Sequence, residues 1–519
     1  MSGRFVPDWL ASSSCCGVES MRRRNLGVSS FPMEPREYRS HSCNSVRTVG
    51  LILLLINADW CFAQTVPGSP DRPWRSGQEQ QVARDMQRFR DSRLSIDSSK
   101  VYSLAELVDF AESHHPLTRV AWENAYAQAA AYGVARSELY PTLAAVALSR
   151  VSREAEALGS SFFLQTLPAF EATLDLQYTV FDFGARAGRI AAAGAKVLAA
   201  NFAFNDTHRK VINQVEQAYY RLLNTLGQEQ AARASLANAQ TVQEAAEERL
   251  KHGLATLPDV LEARSATAQA DYDLQATLGA EEIARGNLAT ALNVPPDTVI
   301  RVQPLDELRI PDSISDQVDQ AIRRAFEQRP DLLAEVAEIR VADARLKEER
   351  AAYYPNLALN IIPSAQSLFI LQEGFPWGHT TELLGGLSFS LNWTVFDGGA
   401  RRNRLTQAMA DARAAEARVS VTRDPIADEV WAAYSNFRTA LRQRVAAVAF
   451  LEAAAKSYEA ALESYKYGVR NFLDVSAAQR TLARAQSTDV LARTQILSAL
   501  ADLAFRAADS IQPGARKGP

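Results

Sequence analysis

One octapeptide occurs twice in this chain. Thr179-Val-Phe-Asp-Phe-Gly-Ala-Arg186 recurs as Thr394-Val-Phe-Asp-Gly-Gly-Ala-Arg401, 215 residues on (394 − 179). Arg189 recurs as Arg404, Gly253 as Gly468, and Asp259-Val260 as Asp474-Val475, all at that offset. Upstream, Pro116 and Tyr140-Pro141 recur as Pro330 and Tyr354-Pro355, 214 residues on. Ordered blocks at a nearly fixed offset define two copies of one unit, 102–309 and 315–509, joined by a link holding Pro304 and Pro311.

Within each copy the periodicity switches. Residues 119–139 are Ala-rich and helical in pattern, and Pro141 stops the helix. Leu174, Leu176, Tyr178 and Val180 then alternate with polar residues; Leu387, Phe389, Leu391, Trp393 and Val395 do so in the second copy. Period two with one apolar face predicts half-buried strands. Weaker partner strands are expected at 141–151 and 356–362. Loops at 154–168 and 363–381 would hold the apolar clusters Phe162-Phe163-Leu164 and Phe375-Pro376-Trp377.

After Asp182 and Asp397 the pattern is helical for a very long way. Asp-x-Gly suits a helix entrance, with a carboxylate or glycine at the cap. The strand-to-helix junctions are thus Asp182, Gly184 and Arg186, and Asp397, Gly399 and Arg401. Pro425 predicts a kink. From Ala185 to His252 a helix would run roughly 100 Å. Return helices are expected at 258–293 and 472–508, long enough with the first short helix to lie alongside the long one. Glu244, Glu247, Glu248, Arg249 and Lys251 are expected to stay in water.

The fold class is therefore mostly α with a four-strand β contribution. Four amphipathic strands suit an outer-membrane barrel in length but not in number, since the smallest such barrels have eight. Open edges in lipid leave backbone groups unpaired. The chain must then oligomerise: a dimer gives eight strands and a filled lumen, a trimer twelve and a passage.

Composition narrows the class further. Hydrophobic residues make up 47% of the 519 and charged residues 22%, which excludes wholesale disorder. No run of about 18 apolar residues occurs, which excludes a multi-span helical membrane protein. A net charge of −4 gives no reason to expect nucleic acid. All four cysteines (Cys15, Cys16, Cys43, Cys61) precede residue 62. Residues 47–63 resemble a late secretory signal, with an apolar core from Gly50 to Ile56 and cleavage expected after Ala63. Met21 and Met33 are alternative starts, and a lipid on Cys61 is disfavoured by Asp59 and Trp60. Residues 64–101 are expected to form a polar tether with one exposed helix, and 510–519 a disordered tail.

The doubled motifs Tyr-Pro-x-Leu, Val-Phe-Asp-x-Gly-x-Arg and Tyr-x-x-Gly-(x)5-Asp-Val resemble the TolC-like outer-membrane efflux protein family over about 102–509. That resemblance implies a homotrimer, a twelve-stranded barrel and a helical tunnel reaching into the periplasm. It implies a periplasmic adaptor protein and an inner-membrane pump as partners, with no enzymatic activity and no cofactor. It places adaptor docking at the tip turns His252-Gly253-Leu254 and Tyr467-Gly468-Val469. An ordinary helix-terminating glycine explains either turn alone; their doubling favours docking. It also implies a gate at Tyr465, Arg470, Asp474 and, in the first copy, Asp259. Tyr465 and Arg470 would hold the tip closed by hydrogen bonds and ion pairs. Three copies of Asp474 would form a cation-selecting ring, or Asp474 caps its helix. The family's further aspartate is here Ala477, which weakens such a ring.

Enzymatic chemistry has no foothold. His41, His114, His115, His208, His252 and His379 lack metal-ligand spacing, and no phosphate loop or nucleophile elbow occurs. The competing class is a periplasmic or surface coiled-coil scaffold, but a scaffold has no use for strands with a lipid-facing band. The exported cargo, drug, metal or polypeptide, cannot be read from the residues.

Overall fold

The computed structural model describes residues 84–86 and 96–508, apart from 160, 312, 314–317 and 373–375. Residues 84–86 are helical and exposed, and belong to a unit of their own, Met1–Asp91. Both sequence copies belong to the second unit, Ser92–Pro519. The secretory segment, Cys61 and the tail 510–519 lie outside the described residues, as does most of the tether.

The helices of the two halves match in length. In the first, α1 (Leu104–His114, 11 residues) and α2 (Pro116–Ser137, 22) precede strands β2 (Thr142–Leu158, 17) and β3 (Ser161–Phe181, 21). Then come α3 (Ala185–Lys251, 67) and α4 (Leu257–Ala291, 35). In the second, α5 (Val318–Gln328) and α6 (Pro330–Ala351) again have 11 and 22 residues, and β5 (Asn356–Gln372) again 17. Strand β6 (Gly378–Asn392) has 15, and α7 (Ala400–Lys466) and α8 (Phe472–Arg506) again 67 and 35. Pro116 and Pro330 open α2 and α6 at a position whose N–H needs no partner. A short parallel pair, β1 (Val101–Tyr102) with β4 (Arg301–Val302), ties the start of the first half to the link.

The strands form one antiparallel sheet in the order β2-β3-β5-β6, with β2 and β6 as edges. Register separates its faces. Leu143, Leu176, Ile361 and Leu387 lie in one row across all four strands. The adjacent row is Thr142, Gln177, Asn360 and Ser388. Successive residues point to opposite faces, so one face is apolar and the other polar.

The strands run much further than the sequence pattern suggests. The segments read as loops, 154–168 and 363–381, are largely strand: β2 and β3 pair out to Leu158 and Ser161, and β5 reaches Gln372. Pro168 and Pro363 mark the limits that the sequence suggests. Each falls where the β3–β5 ladder skips a pair of residues, so its missing N–H breaks nothing there, while Pro168 still faces Val151 and Pro363 still faces Gly385.

Below the sheet, helices pack in the order α2-α3-α6-α7, and further down in the order α4-α3-α8-α7. The short helices thus lie along their own long helix, as expected, and α6 and α8 also pack on α3, joining the halves. At Gly188 the approach is so close that a Cβ would meet the Glu348 backbone nitrogen at 2.9 Å. Midway, α1 buries Leu107, Val108 and Ala111 against Val211, Val215, Tyr219, Leu222 and Leu223 of α3. In the second half α5 buries Ala321 and Ala325 against Ile426, Val430, Ala433 and Phe437 of α7. Helix α7 runs unbroken through Pro425, whose neighbour Ile426 is fully buried in that core. The separate helices α1 and α5 escape a periodicity reading that starts at residue 119.

Candidate functional sites at the strand junctions and hairpin tips

Two αL glycines start the long helices, Gly184 at φ 96° and Gly399 at φ 88°. The carboxylate two residues earlier supplies the cap. Asp182 accepts from the N–H groups of Gly184 (3.2 Å) and Arg186 (2.7 Å). Asp397 accepts from those of Gly399 (3.1 Å) and Arg401 (2.9 Å). Glycine and carboxylate therefore act together, not as alternatives. The arginines close the corner. Arg186 donates to the carbonyls of Thr179 (2.9 Å) and Glu138 (3.0 Å); Arg401 donates to Val395 O (3.1 Å) and to its own Asp397 (3.0 Å). Burial opposes ionisation of Asp397, but the Arg401 N–H and guanidinium outweigh it and hold the carboxyl below the usual range. Arg189 adds ion pairs to Glu138 (2.7 Å) and Glu348 (3.4 Å), so one guanidinium joins both halves.

Exposed aromatics gather at this corner. Phe183 stacks on Tyr354 at 4.9 Å and meets Phe181 edge-on at 4.7 Å. Trp393 donates its indole N–H to Tyr353 O (3.2 Å), and Tyr140 and Phe396 stand free. The opposite end of the sheet carries Phe369, Trp377 and His379 in contact. Aromatics at both rims of an apolar face are the pattern of a membrane girdle.

At the far end, both tip turns are Schellman motifs. Gly253 N–H bonds Leu250 O (2.9 Å) and Leu254 N–H bonds Arg249 O (2.8 Å). Gly468 and Val469 repeat this on Tyr465 O (2.9 Å) and Ser464 O (2.8 Å). The glycines sit at φ 72° and 78°, which any Cβ would strain. Leu254, Tyr467 and Val469 project into solvent, the last two about four-fifths exposed.

The residues assigned to a gate divide. Asp474 is exposed; its N–H is capped by Asn471 Oδ1 (2.9 Å), and its carboxylate has no hydrogen bond among the described residues. Capping of α8 thus falls to Asn471. Asp259 is not free in this way: its carboxylate forms a capping box with Thr256, accepting from N–H (2.9 Å) and hydroxyl (2.8 Å). Arg470 is exposed; its backbone N–H bonds Ser464 O (3.3 Å), and its guanidinium makes no hydrogen bond or ion pair among the described residues. Tyr465 is buried at the tip. Its hydroxyl is buried without a partner, and the ring packs on Phe472 (6.2 Å). Burial pushes that phenol up, helped by Asp259 and opposed by Arg249.

Arg249, expected to stay in water, is half-buried and crosses to the other tip. Its Nη1 donates to Tyr465 O and reaches Lys466 O (3.4 Å); its Nη2 donates to Leu254 O (3.2 Å). The guanidinium lies 4.7 Å over the Tyr465 ring. A basic residue in the last turn of a helix was the available signal; its cross-tip partner was not readable.

Among the described residues no group of acidic, cysteine and histidine side chains could hold a metal, and no helix is long and apolar enough to cross a membrane. The sequence pattern of the outer membrane efflux protein family matches twice, over residues 107–294 and 321–507. The chain belongs to that family. It is 29% identical to CyaE of Bordetella pertussis over 399 residues, 76% of this chain and 81% of that protein. It is 26% identical to the outer membrane protein OprJ of Pseudomonas aeruginosa over 411 residues, 78% and 83% of the two. The outer-membrane channel OprN shares the fold at a TM-score of 0.67 and 21% identity, covering 82% of this chain and 98% of that one. The chain is an outer-membrane export protein that extends into the periplasm.

Proposed function

We propose that three copies of this chain form one conduit, and that it passes substrates handed on by an inner-membrane pump through a periplasmic adaptor. The open sheet carries this reading. Its apolar face calls for lipid, yet β2 and β6 each present an edge that lipid cannot satisfy. The helices beneath end in the same way: α2 and α4 on one side and α7 on the other pack against inner neighbours only. Three copies supply twelve strands, with the polar row inward, and twelve helices at any level below. Two structural repeats per chain then make the wall quasi-sixfold.

The tips are the surface for the adaptor. Two protruding glycine turns with exposed Leu254, Tyr467 and Val469 suit intermeshing with helical ends of similar shape. Asp474, whose carboxylate is unengaged, supplies the ring at the narrow end. The chemistry is passage, with no covalent step. The duct itself selects little among cargoes.

The test is electrical. Protein extracted from outer membranes and reconstituted in planar bilayers is expected to give discrete, cation-preferring conductance steps and to run as a heat-modifiable oligomer. A soluble monomer with no conductance refutes the conduit and favours a scaffold.

A further inference from the structure

We propose that the cavity where α3 meets α8 and the turn between α5 and α6 binds a small organic amine, with Glu216 holding its ammonium group. The site goes beyond the conduit reading, since it needs neither passage nor an adaptor.

The cavity has a volume of about 370 Å³. One wall is a stripe of α3 that runs from Asn205 through Ile212 to Glu216 at helical spacing. The facing wall is Phe505 of α8 with Pro330 of the α5–α6 turn, so both sequence copies contribute. Ile212, Phe505 and Pro330 give it apolar sides, and its size is that of a small-molecule site.

Glu216 is the one charged group there without a counterpart. It is 7% exposed, lines the cavity, and makes no hydrogen bond or ion pair among the described residues. Burial pushes its carboxyl up to about 7; a cation within reach would pull it down. Arg209, on the same stripe, is engaged elsewhere. It donates to Phe505 O (2.6 Å) and Asp206 (2.8 Å) and lies 3.8 Å from Asp331. Asp331 is held by Arg329 (2.6 Å), Arg329 by Glu429 (2.7 Å), and Glu429 by Arg506 (3.1 Å). His208 faces Glu112 of α1 (3.6 Å). These charges answer one another and leave Glu216 over. Asn213, one turn before it, lines the same cavity, and its side-chain oxygen is buried without a partner.

A carboxylate and an amide oxygen are both acceptors, so what they lack is a donor. Two such oxygens are too few for a metal ion, which takes six or more in oxygen sites. An ammonium group on an apolar body suits both the acceptors and the apolar sides. A buried carboxylate without a partner destabilises the empty protein, and an ion pair with the amine removes that cost.

The experiment titrates benzylamine and benzyl alcohol into the full-length protein in detergent at pH 8, followed by saturation-transfer NMR. The variants are Glu216→Gln and Ala504→Phe. Ala504 lies on the α8 wall, so a phenylalanine there fills the cavity without altering a charge. Benzylamine is expected to bind the wild type saturably, roughly ten-fold or more tightly than it binds Glu216→Gln. Ala504→Phe should abolish that binding, and benzyl alcohol should not distinguish the wild type from Glu216→Gln. Equal affinity of the wild type and Glu216→Gln for benzylamine overturns the ion pair. Undiminished binding in Ala504→Phe overturns the placement, and no saturable binding to the wild type overturns the site. Glu216→Gln preserves the side chain's shape and decides the matter if Ala504→Phe does not fold. Arg516 and Lys517 of this chain carry cations too. Benzylamine binding that emerges only when both are replaced by alanine makes the chain itself the occupant and overturns the free-amine reading.

Discussion

Replacing Gly188 by alanine tests whether the halves are held together by backbone contact. Gly188 lies in the first turn of α3, and the added methyl would stand 2.9 Å from Glu348 N, 3.0 Å from Ala344 O and 3.1 Å from Glu348 Cα. All three are backbone atoms of α6, so no side chain can swing away and the helices must separate. Overpacking of this kind costs about 1–3 kcal/mol. Alanine's better helix propensity returns up to about 1 kcal/mol. The net loss is then on the order of 1–2 kcal/mol per chain. Gly194→Ala, two turns on, is the control. Its methyl would meet only the Tyr132 ring, at 3.4 Å, an ordinary contact, so propensity should dominate and stability hold or rise. The assay is thermal unfolding of the detergent-solubilised protein at a fixed scan rate, followed by circular dichroism at 222 nm. Gly188→Ala should melt below the wild type and Gly194→Ala at or above it. Equal melting of the two variants refutes the claim that α3 and α6 touch through Gly188.

Three further outcomes are expected at the sites. Asp474→Ala should lower cation preference and weaken block by divalent cations in bilayers; unaltered block removes the carboxylate ring. Gly468→Trp should abolish export while oligomers still assemble, because its φ of 78° and its place at the tip both penalise a large side chain; unchanged export counts against docking there. Glu216, buried on α3, has its carboxyl pushed up to about 7 by burial, from an ordinary 4.5. Below pH 4.5 it is protonated in both folded and unfolded states and has no effect. As pH rises towards 7 the unfolded chain ionises first, so stability falls, by about 3 kcal/mol at most above pH 7. Glu216→Gln should therefore melt higher than the wild type at pH 8 and match it at pH 4; a gain that is the same at both pH values refutes the assignment.

The long helices and both kinds of turn were legible because each has a local cause. Glycine at positive φ, a carboxylate two residues before it and proline at the first helical position all act within a few residues. The strand limits were not legible. The segments 154–168 and 363–381 read as loops, yet Pro168 and Pro363 at their limits each sit at a gap in one ladder, a fact of register between β3 and β5 that no local pattern carries. The tip misled for the same reason. Arg249 looked like one more charge on a solvated face, and only the approach of a segment 216 residues away makes it a bridge. Asp259 looked equivalent to Asp474 by offset; a threonine at 256 in place of an asparagine at 471 engages one carboxylate and leaves the other free.

The claim on which the rest depends is that the sheet edges at β2 and β6, and the outer sides of α2, α4 and α7, are completed by further copies of this chain. Native mass spectrometry of the protein extracted from membranes in detergent measures that directly. Three chains per particle, stable until heated, is the expected result; a single chain, or two, contradicts it.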